Sequence, residues 1–409
     1  MNNLFTIRGK TLVSCARDAV GLIRIPDGVK RIETSAFKEC YDITSVEIPD
    51  SVTKIGNWVF YGCTRLKSVK LPQNGSLAMG MCVFTDCPKL EEVDLPEGMK
   101  VVPYSIFNAC RSLRRVGIPD SVTEIEDWAF YECEHLKDIR LPQNLKKIGM
   151  LAFYNCKSIR QLELPEGLEE VDCSAFEGCT GLTELAIPQS LTNIHDAVFA
   201  HCTQLKKLVV AADHPAYCFE NGMLLTKDHR VLKAWLRPQT KRIEVPDGVV
   251  RIGGGTFRER TTLSEVHLPD GVKEIGYDAF YECTCLTTIN IPKGVTKIEN
   301  GAFCDCESLT TIELPQSLTR IGESAFVGCE SLSSIRIPNR VTKIGDWFLS
   351  DCDSLREIHF ERKGLKSVRW DEDILKGVDP SQCVIFVPKG TSEEYKAHPA
   401  FKGFKMVEE

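Results

Sequence analysis

Proline returns through this chain at an almost constant interval. Pro26, Pro49 and Pro72 are 23 residues apart, Pro96 follows after 24, and Pro119, Pro142, Pro165 and Pro188 resume the step of 23. Pro246, Pro269, Pro292, Pro315 and Pro338 keep it again after one longer gap of 58 residues. Phenylalanine keeps the same step, from Phe37, Phe60 and Phe84 to Phe280, Phe303 and Phe326. Cysteine follows three residues later, as at Cys40, Cys63 and Cys87. There are two departures: Arg260 stands in the cysteine place after Phe257, and Leu349 in the phenylalanine place before Cys352. A fixed period of this length is the mark of stacked units, each too small to bury its own apolar face. At 409 residues, an ordinary chain would suggest several globular domains; the period replaces them with one solenoid.

One unit, LRRVGIPDSVTEIEDWAFYEC from Leu113 to Cys133, can be read residue by residue. Val116 and Ile118 are two apart and share one face of a short strand. Pro119 has no N–H and ends the ladder. Asp120 and Ser121 suit a turn. Val122 and Ile125 bring a second extended segment inward. Ala129, Phe130 and Cys133 fit a single helical turn.

The unit resembles the BspA-type leucine-rich repeat family, a bacterial 23-residue variant, over residues 20 to 360. The ends are similar too: FTIRGKTLVSCARDAVGLIRIPDGV looks like its N-terminal hairpin, and VDPSQCVIFVPKGTSEEYKAHPAFKGF like its C-terminal cap. The resemblance implies a curved, right-handed, β-rich solenoid of short parallel strands and single helical turns that binds other macromolecules. The expected layout is a hairpin cap over 1–19, repeats over 20–210, a hairpin-like insertion over 211–240, repeats over 241–360 and a cap over 361–409, in one continuous solenoid. The insertion, with turn-like Lys227, Asp228, His229 and Arg230 between apolar runs, is expected to stay in the stack. In the cap, Thr391 or Ser392 is a candidate N-cap, and Tyr395, Phe401 and Phe404 are candidates to cover the last repeat.

The chain carries 19 cysteines, 12 of them in the repeated column. That column reads as small core packing, suited to a reducing compartment. Cys283, Cys285, Cys304 and Cys306 look like a zinc set, but the column residues point inward and the four thiols diverge. Histidines are scattered, His201 and Cys202 diverge as neighbours, and no nucleophile elbow or phosphate loop is present. The expectation is a non-enzymatic chain with no cofactor, no metal and no catalytic residue. The net charge of −7 argues against nucleic acid as a partner. No apolar run is long enough for a membrane span.

Function therefore falls to the strand face that looks away from the core. The residue between the valine-type and final isoleucine-type positions is polar or charged in most repeats. Lys70, Asp94, Arg140, Glu163, Glu244, His267, Glu313 and Arg336 are the expected partner-binding face. Opposite neighbours such as Arg140 with Glu163 and Glu313 with Arg336 are expected to pair. The reading is a protein-protein interaction scaffold with a protein partner. It is cytoplasmic if the chain is complete, and the alternative is a secreted or surface adhesin for host matrix proteins. Trp58, Trp128 and Trp347 share a place on the outer edge.

Overall fold

The computed structural model describes residues 4–237, 239–366, 368–370 and 372–409. Residues 1–3, 238, 367 and 371, from the expected caps and insertion, lie outside the described residues. The chain divides into two compact units between Phe219 and Glu220.

The first unit opens on a hairpin, in which Phe5–Arg8 runs antiparallel to Thr11–Cys15. Thr11–Cys15 then starts a parallel row, pairing with Arg31–Ile32 and through it with Lys54–Ile55. Further on, the same row runs from Glu124–Ile125 through Lys147–Ile148 and Glu170–Val171 to Asn193–Ile194. These are the V-x-x-I segments. A second parallel row is made by the L-x-x-V-x-I segments, from Gly21–Arg24 and Ile43–Glu47 to Arg115–Gly117 and Asp138–Ile139. Register follows the period: Val93, Val116 and Ile139 are successive partners. Val93 and Val116 are buried while their neighbours face solvent, the alternation that a half-buried strand requires.

The phenylalanine turn forms a third ladder, and its backbone is not helical. Trp128 N donates to Met150 O at 2.9 Å, Phe130 N to Ala152 O at 2.8 Å and Glu132 N to Tyr154 O at 2.8 Å, all one repeat on. The alternate amides turn back within the unit, as Tyr131 N does to Trp128 O and Cys133 N to Phe130 O. A helical turn would use every N–H locally. Left-handed residues free alternate amides for the next repeat, here Trp128 at φ 62° and Glu132 at φ 56°. Each such residue costs about 1 kcal/mol, set against a hydrogen bond to the neighbouring repeat. The tryptophans expected at the outer edge sit on this corner: Trp58 and Trp347 are exposed, and Trp128 stacks on Tyr131 at 4.8 Å.

Inside the turns the phenylalanines form a spine. Phe60, Phe84, Phe107, Phe130 and Phe153 are fully buried, and each ring stacks on the next at 5.0–5.6 Å. Phe257, Phe280, Phe303 and Phe326 do the same in the second unit, at 5.0–5.4 Å.

The second unit opens as the first does. Met223–Thr226 runs antiparallel to Val231–Trp235, which pairs in parallel with Arg251–Ile252. The turn-like Lys227 to Arg230 is the hairpin tip, with Asp228 accepting from Thr226 Oγ1 at 2.7 Å. From residue 220 on, the expected insertion is thus a repeat-starting hairpin. Arg260, in the cysteine place, is buried and donates to Trp235 O at 2.9 Å. At the C-terminus, helix Ser392–Lys396 begins after Thr391, but Thr391 supplies no cap bond. Glu408 does that work, accepting from the amides of Gly390 and Ser392. Tyr395 and Phe401 pack against Phe360, as the cap reading expects, while Phe404 is only half-buried.

Candidate partner-binding face

The eight residues expected on the outward strand face are all exposed. In the first unit Lys70 and Asp94 line a cleft of about 630 Å³ whose wall also holds Glu47 and Glu92, so its charge is mixed. Arg24 and Glu47, opposite charges on adjacent strands of the row, pair at 2.9 Å. The two expected pairs are replaced. Arg140 reaches Asp120 at 3.4 Å rather than Glu163. Arg336 reaches Glu409 at 3.1 Å and Glu361 at 3.7 Å, and among the described residues no ion pair joins it to Glu313. In both cases a nearer carboxylate, from a turn or from the C-terminus, wins over the in-row neighbour. Glu244 stands in register with His267 on the second unit.

A feature that the single-row reading missed is a groove of about 1320 Å³ on the first unit. Its walls carry Arg115, Lys137, Arg140, Lys157 and Arg160 with one lining carboxylate, Asp138; Arg115, Arg140 and Lys157 pair with Asp94, Asp120 and Glu134, which do not line it. Lys137 and Arg160 are exposed, and among the described residues neither has a carboxylate within ion-pair distance. The groove lies where the strand row is interrupted. The row stops at Asp138–Ile139 and resumes with Glu184–Ile187. Among the described residues, the amides of Arg160, Gln161, Leu162 and Glu163 find no backbone acceptor. Gly181 forms part of the wall, where a Cβ would collide with the Lys157 carbonyl. The signal was legible one column over, where Lys137 and Arg160 occupy the same place in successive repeats.

The second unit has the counterpart in shape but not in charge. Its row lacks a strand between Thr288–Ile289 and Ser334–Ile337, and the cleft of about 370 Å³ beside this gap is lined by Glu265, His267, Asn290, Thr311 and Glu313.

The four cysteines whose spacing resembles a zinc set have separate roles. Cys283 and Cys306 donate to Phe257 O and Phe280 O at 3.1 and 3.2 Å, Cys285 is exposed, and Cys304 contacts Asp305.

Each unit is thus a stack of parallel strands and turns of leucine-rich repeat type. The family model described as BspA type leucine rich repeat region (6 copies) matches residues 16–137, 100–226 and 234–356. The chain belongs to the BspA-type leucine-rich repeat family. It is similar to the crystal structure of a leucine rich cell surface protein from Faecalibacterium prausnitzii A2-165. That likeness has a TM-score of 0.60 at 26% identity and covers 97% of this chain and 95% of that one. The pneumococcal vaccine antigen PcpA shares the fold with a TM-score of 0.59 at 20% identity, over 99% of this chain and 95% of that one. No curated protein matches in sequence. Among the described residues, no helix is long and apolar enough to cross a membrane. The repeat family and the cell-surface neighbour point to a protein-interaction scaffold.

Proposed function

We propose that this chain is a non-catalytic scaffold whose first unit takes an acidic, extended segment of a protein partner into the groove at Arg115–Arg160. The observation that carries this reading is local charge inversion. In a chain of net charge −7 the groove is lined by five cations and one carboxylate. Arg115, Arg140 and Lys157 pair with Asp94, Asp120 and Glu134, while Lys137 and Arg160 have no carboxylate partner among the described residues and stand beside four backbone donors without backbone acceptors. Complementary charge speeds encounter and sets specificity, while the open amides add affinity that does not depend on side chains.

The test is an anisotropy titration with a labelled glutamate-rich peptide, run against a neutral peptide of equal length. The double variant Lys137→Glu with Arg160→Glu is expected to weaken the acidic peptide by about tenfold or more, and the affinity of the parent protein is expected to fall with salt. Equal binding of both peptides, or an unaltered double variant, would remove the groove from the reading. Preference for a sulfated glycan over the peptide would replace the protein partner.

A surface or secreted setting belongs to the same reading and rests on the cell-surface neighbour. The cytoplasmic expectation draws no support from the comparisons. Protease treatment of intact source cells is the check. Loss of the protein supports surface display, and full protection contradicts it.

A further inference from the structure

The place after the short V-x-x-I strand is glycine at Gly56, Gly80, Gly149, Gly253, Gly276, Gly322 and Gly345, and Glu33, Pro103, Glu126 and Glu299 hold it elsewhere. A Cβ at Gly149 would press on the backbone of Glu126 and Asp127 in the preceding repeat. Two consecutive repeats of the first unit hold Asp172 and His195 at this place, and Cys173 follows Asp172, so three metal-ligating residue types fall on adjacent repeats.

The ladder brings them together. Asp172 N donates to Ile148 O and His195 N to Val171 O, so the two residues stand on adjacent repeats in register. An Asp172 oxygen, Cys173 Sγ and a His195 ring nitrogen all lie within 4.8 Å of one another, and all three residues are half-buried. The two ring nitrogens face different partners. Nδ1 is 3.7 Å from Asp172 Oδ1, while Nε2 is 3.7 Å from Glu170 Oε1 and 3.0 Å from the Asn193 side-chain amide. Glu170 is itself held by Lys147 at 3.1 Å, and the Cys173 amide donates to Asp172 Oδ1 at 2.7 Å. The Asn193 amide donates to Nε2, so without metal the imidazole carries its proton on Nδ1. Metal binding at Nδ1 requires the other tautomer, with the proton on Nε2 facing Glu170 and the Asn193 amide turned to accept, as around metal-bound histidines.

We propose that Asp172, Cys173 and His195 bind a divalent cation of the zinc class, with Glu170 and Asn193 orienting the imidazole. One oxygen, one sulfur and one nitrogen donor suit a borderline-soft ion in a tetrahedral site. Side-chain rotations that close the cluster by about 1 Å bring the donors to metal bonds of about 2.0–2.3 Å. The fourth position is left for water. Binding forms the metal–sulfur bond as the Cys173 thiol proton leaves to solvent.

The test uses Co²⁺ as a probe on the reduced, chelator-treated full chain, with Zn²⁺ as competitor. The expected result is a thiolate-to-cobalt charge-transfer band that saturates at one equivalent and is bleached by Zn²⁺. Cys173→Ser removes the band, Glu170→Gln weakens binding by about 10–100-fold but keeps it, and Cys285→Ser, at an exposed cysteine off the site, leaves it unchanged. A band that is absent, that survives Cys173→Ser, or that disappears with Cys285→Ser overturns the site. Because a variant at this edge could disturb the ladder, the unmodified chain supplies a second readout. Zn²⁺ slows alkylation of Cys173 in mass-spectrometric mapping if the site exists, and an unchanged rate rejects it.

Discussion

The Cys133 thiol donates to the carbonyl of Phe107, one repeat earlier, at 3.2 Å. The same carbonyl accepts the Cys110 amide at 3.0 Å, so both of its lone pairs are used. One lone pair closes its own turn, and the other ties that turn to the next. The relation recurs from Cys63 with Phe37 to Cys352 with Phe326. The column is therefore a ladder of sulfur donors as well as small core packing. Burial pushes the column thiols from Cys63 to Cys179 and from Cys283 to Cys352 up, Cys283 to about 12, so these stay protonated and unreactive; Cys40, which is hydrogen-bonded to Cys15, is held down instead. Cysteine richness of this kind does not require a reducing compartment.

Substitution at Cys133 separates volume from hydrogen bonding. Cys133→Ala is expected to cost about 1–2 kcal/mol, from lost sulfur packing and the lost second bond to Phe107. Cys133→Ser keeps a donor and should fall between the parent and the alanine variant in urea unfolding. An alanine variant as stable as the parent would show that the thiol contacts contribute nothing. In the native parent, a thiol reagent should label exposed Cys285 first, with the column from Cys63 on reacting only on unfolding.

Phe130 has no exposed surface and stacks between Phe107 and Phe153 at 5.4 and 5.0 Å. Phe130→Ala opens a cavity that the neighbouring rings cannot fill, at a cost of about 3–5 kcal/mol. Thermal or denaturant unfolding of the variant is the check, and an unshifted midpoint would contradict a buried spine.

Much of the fold was legible because the period is written in residues with few structural substitutes. Pro119 ends a ladder, Phe130 fills a fixed space and Cys133 a smaller one. The backbone of the Trp128–Cys133 turn was not legible, since an apolar spacing of three suits a helical turn as well as paired turns with left-handed residues. The site was half legible. Exposure of Lys70, Asp94, Arg140 and their row follows from strand alternation. The Arg140–Asp120 pair does not, because it depends on where a proline turn ends. The groove depends on a gap in pairing after Ile139, which no residue type announces.

Glu408 carries a pH dependence. Hydrogen bonds to Ser392, from side chain and backbone, and the Gly390 amide hold its carboxyl down at about 2, against an ordinary 4.5. A depressed carboxyl stabilises the fold above the unfolded value, and loses that contribution as pH falls from about 4.5 through about 2. Amide protection around Gly390 and Ser392, taken relative to the intrinsic exchange rate at each pH, should fall over that window. Glu408→Gln should flatten the change, and an identical profile in the variant would rule out Glu408 as its source.

The hairpin of Met223–Thr226 with Val231–Trp235 gives the second unit its own opening pair of strands. A fragment spanning 220–409 is expected to fold alone, with a cooperative melt and a strand-rich circular dichroism spectrum. A fragment that is unfolded in isolation would show that the hairpin is no cap.

The central claim concerns the groove, and hydrogen exchange with and without a bound glutamate-rich peptide tests it most directly. The amides of Arg160 to Glu163, without backbone acceptors, should exchange quickly in the unbound chain. The account predicts slowing on binding that is centred on 137–163 and absent from the counterpart stretch at 310–313. Slowing centred elsewhere, or saturated peptide binding with no change at 160–163, would contradict it.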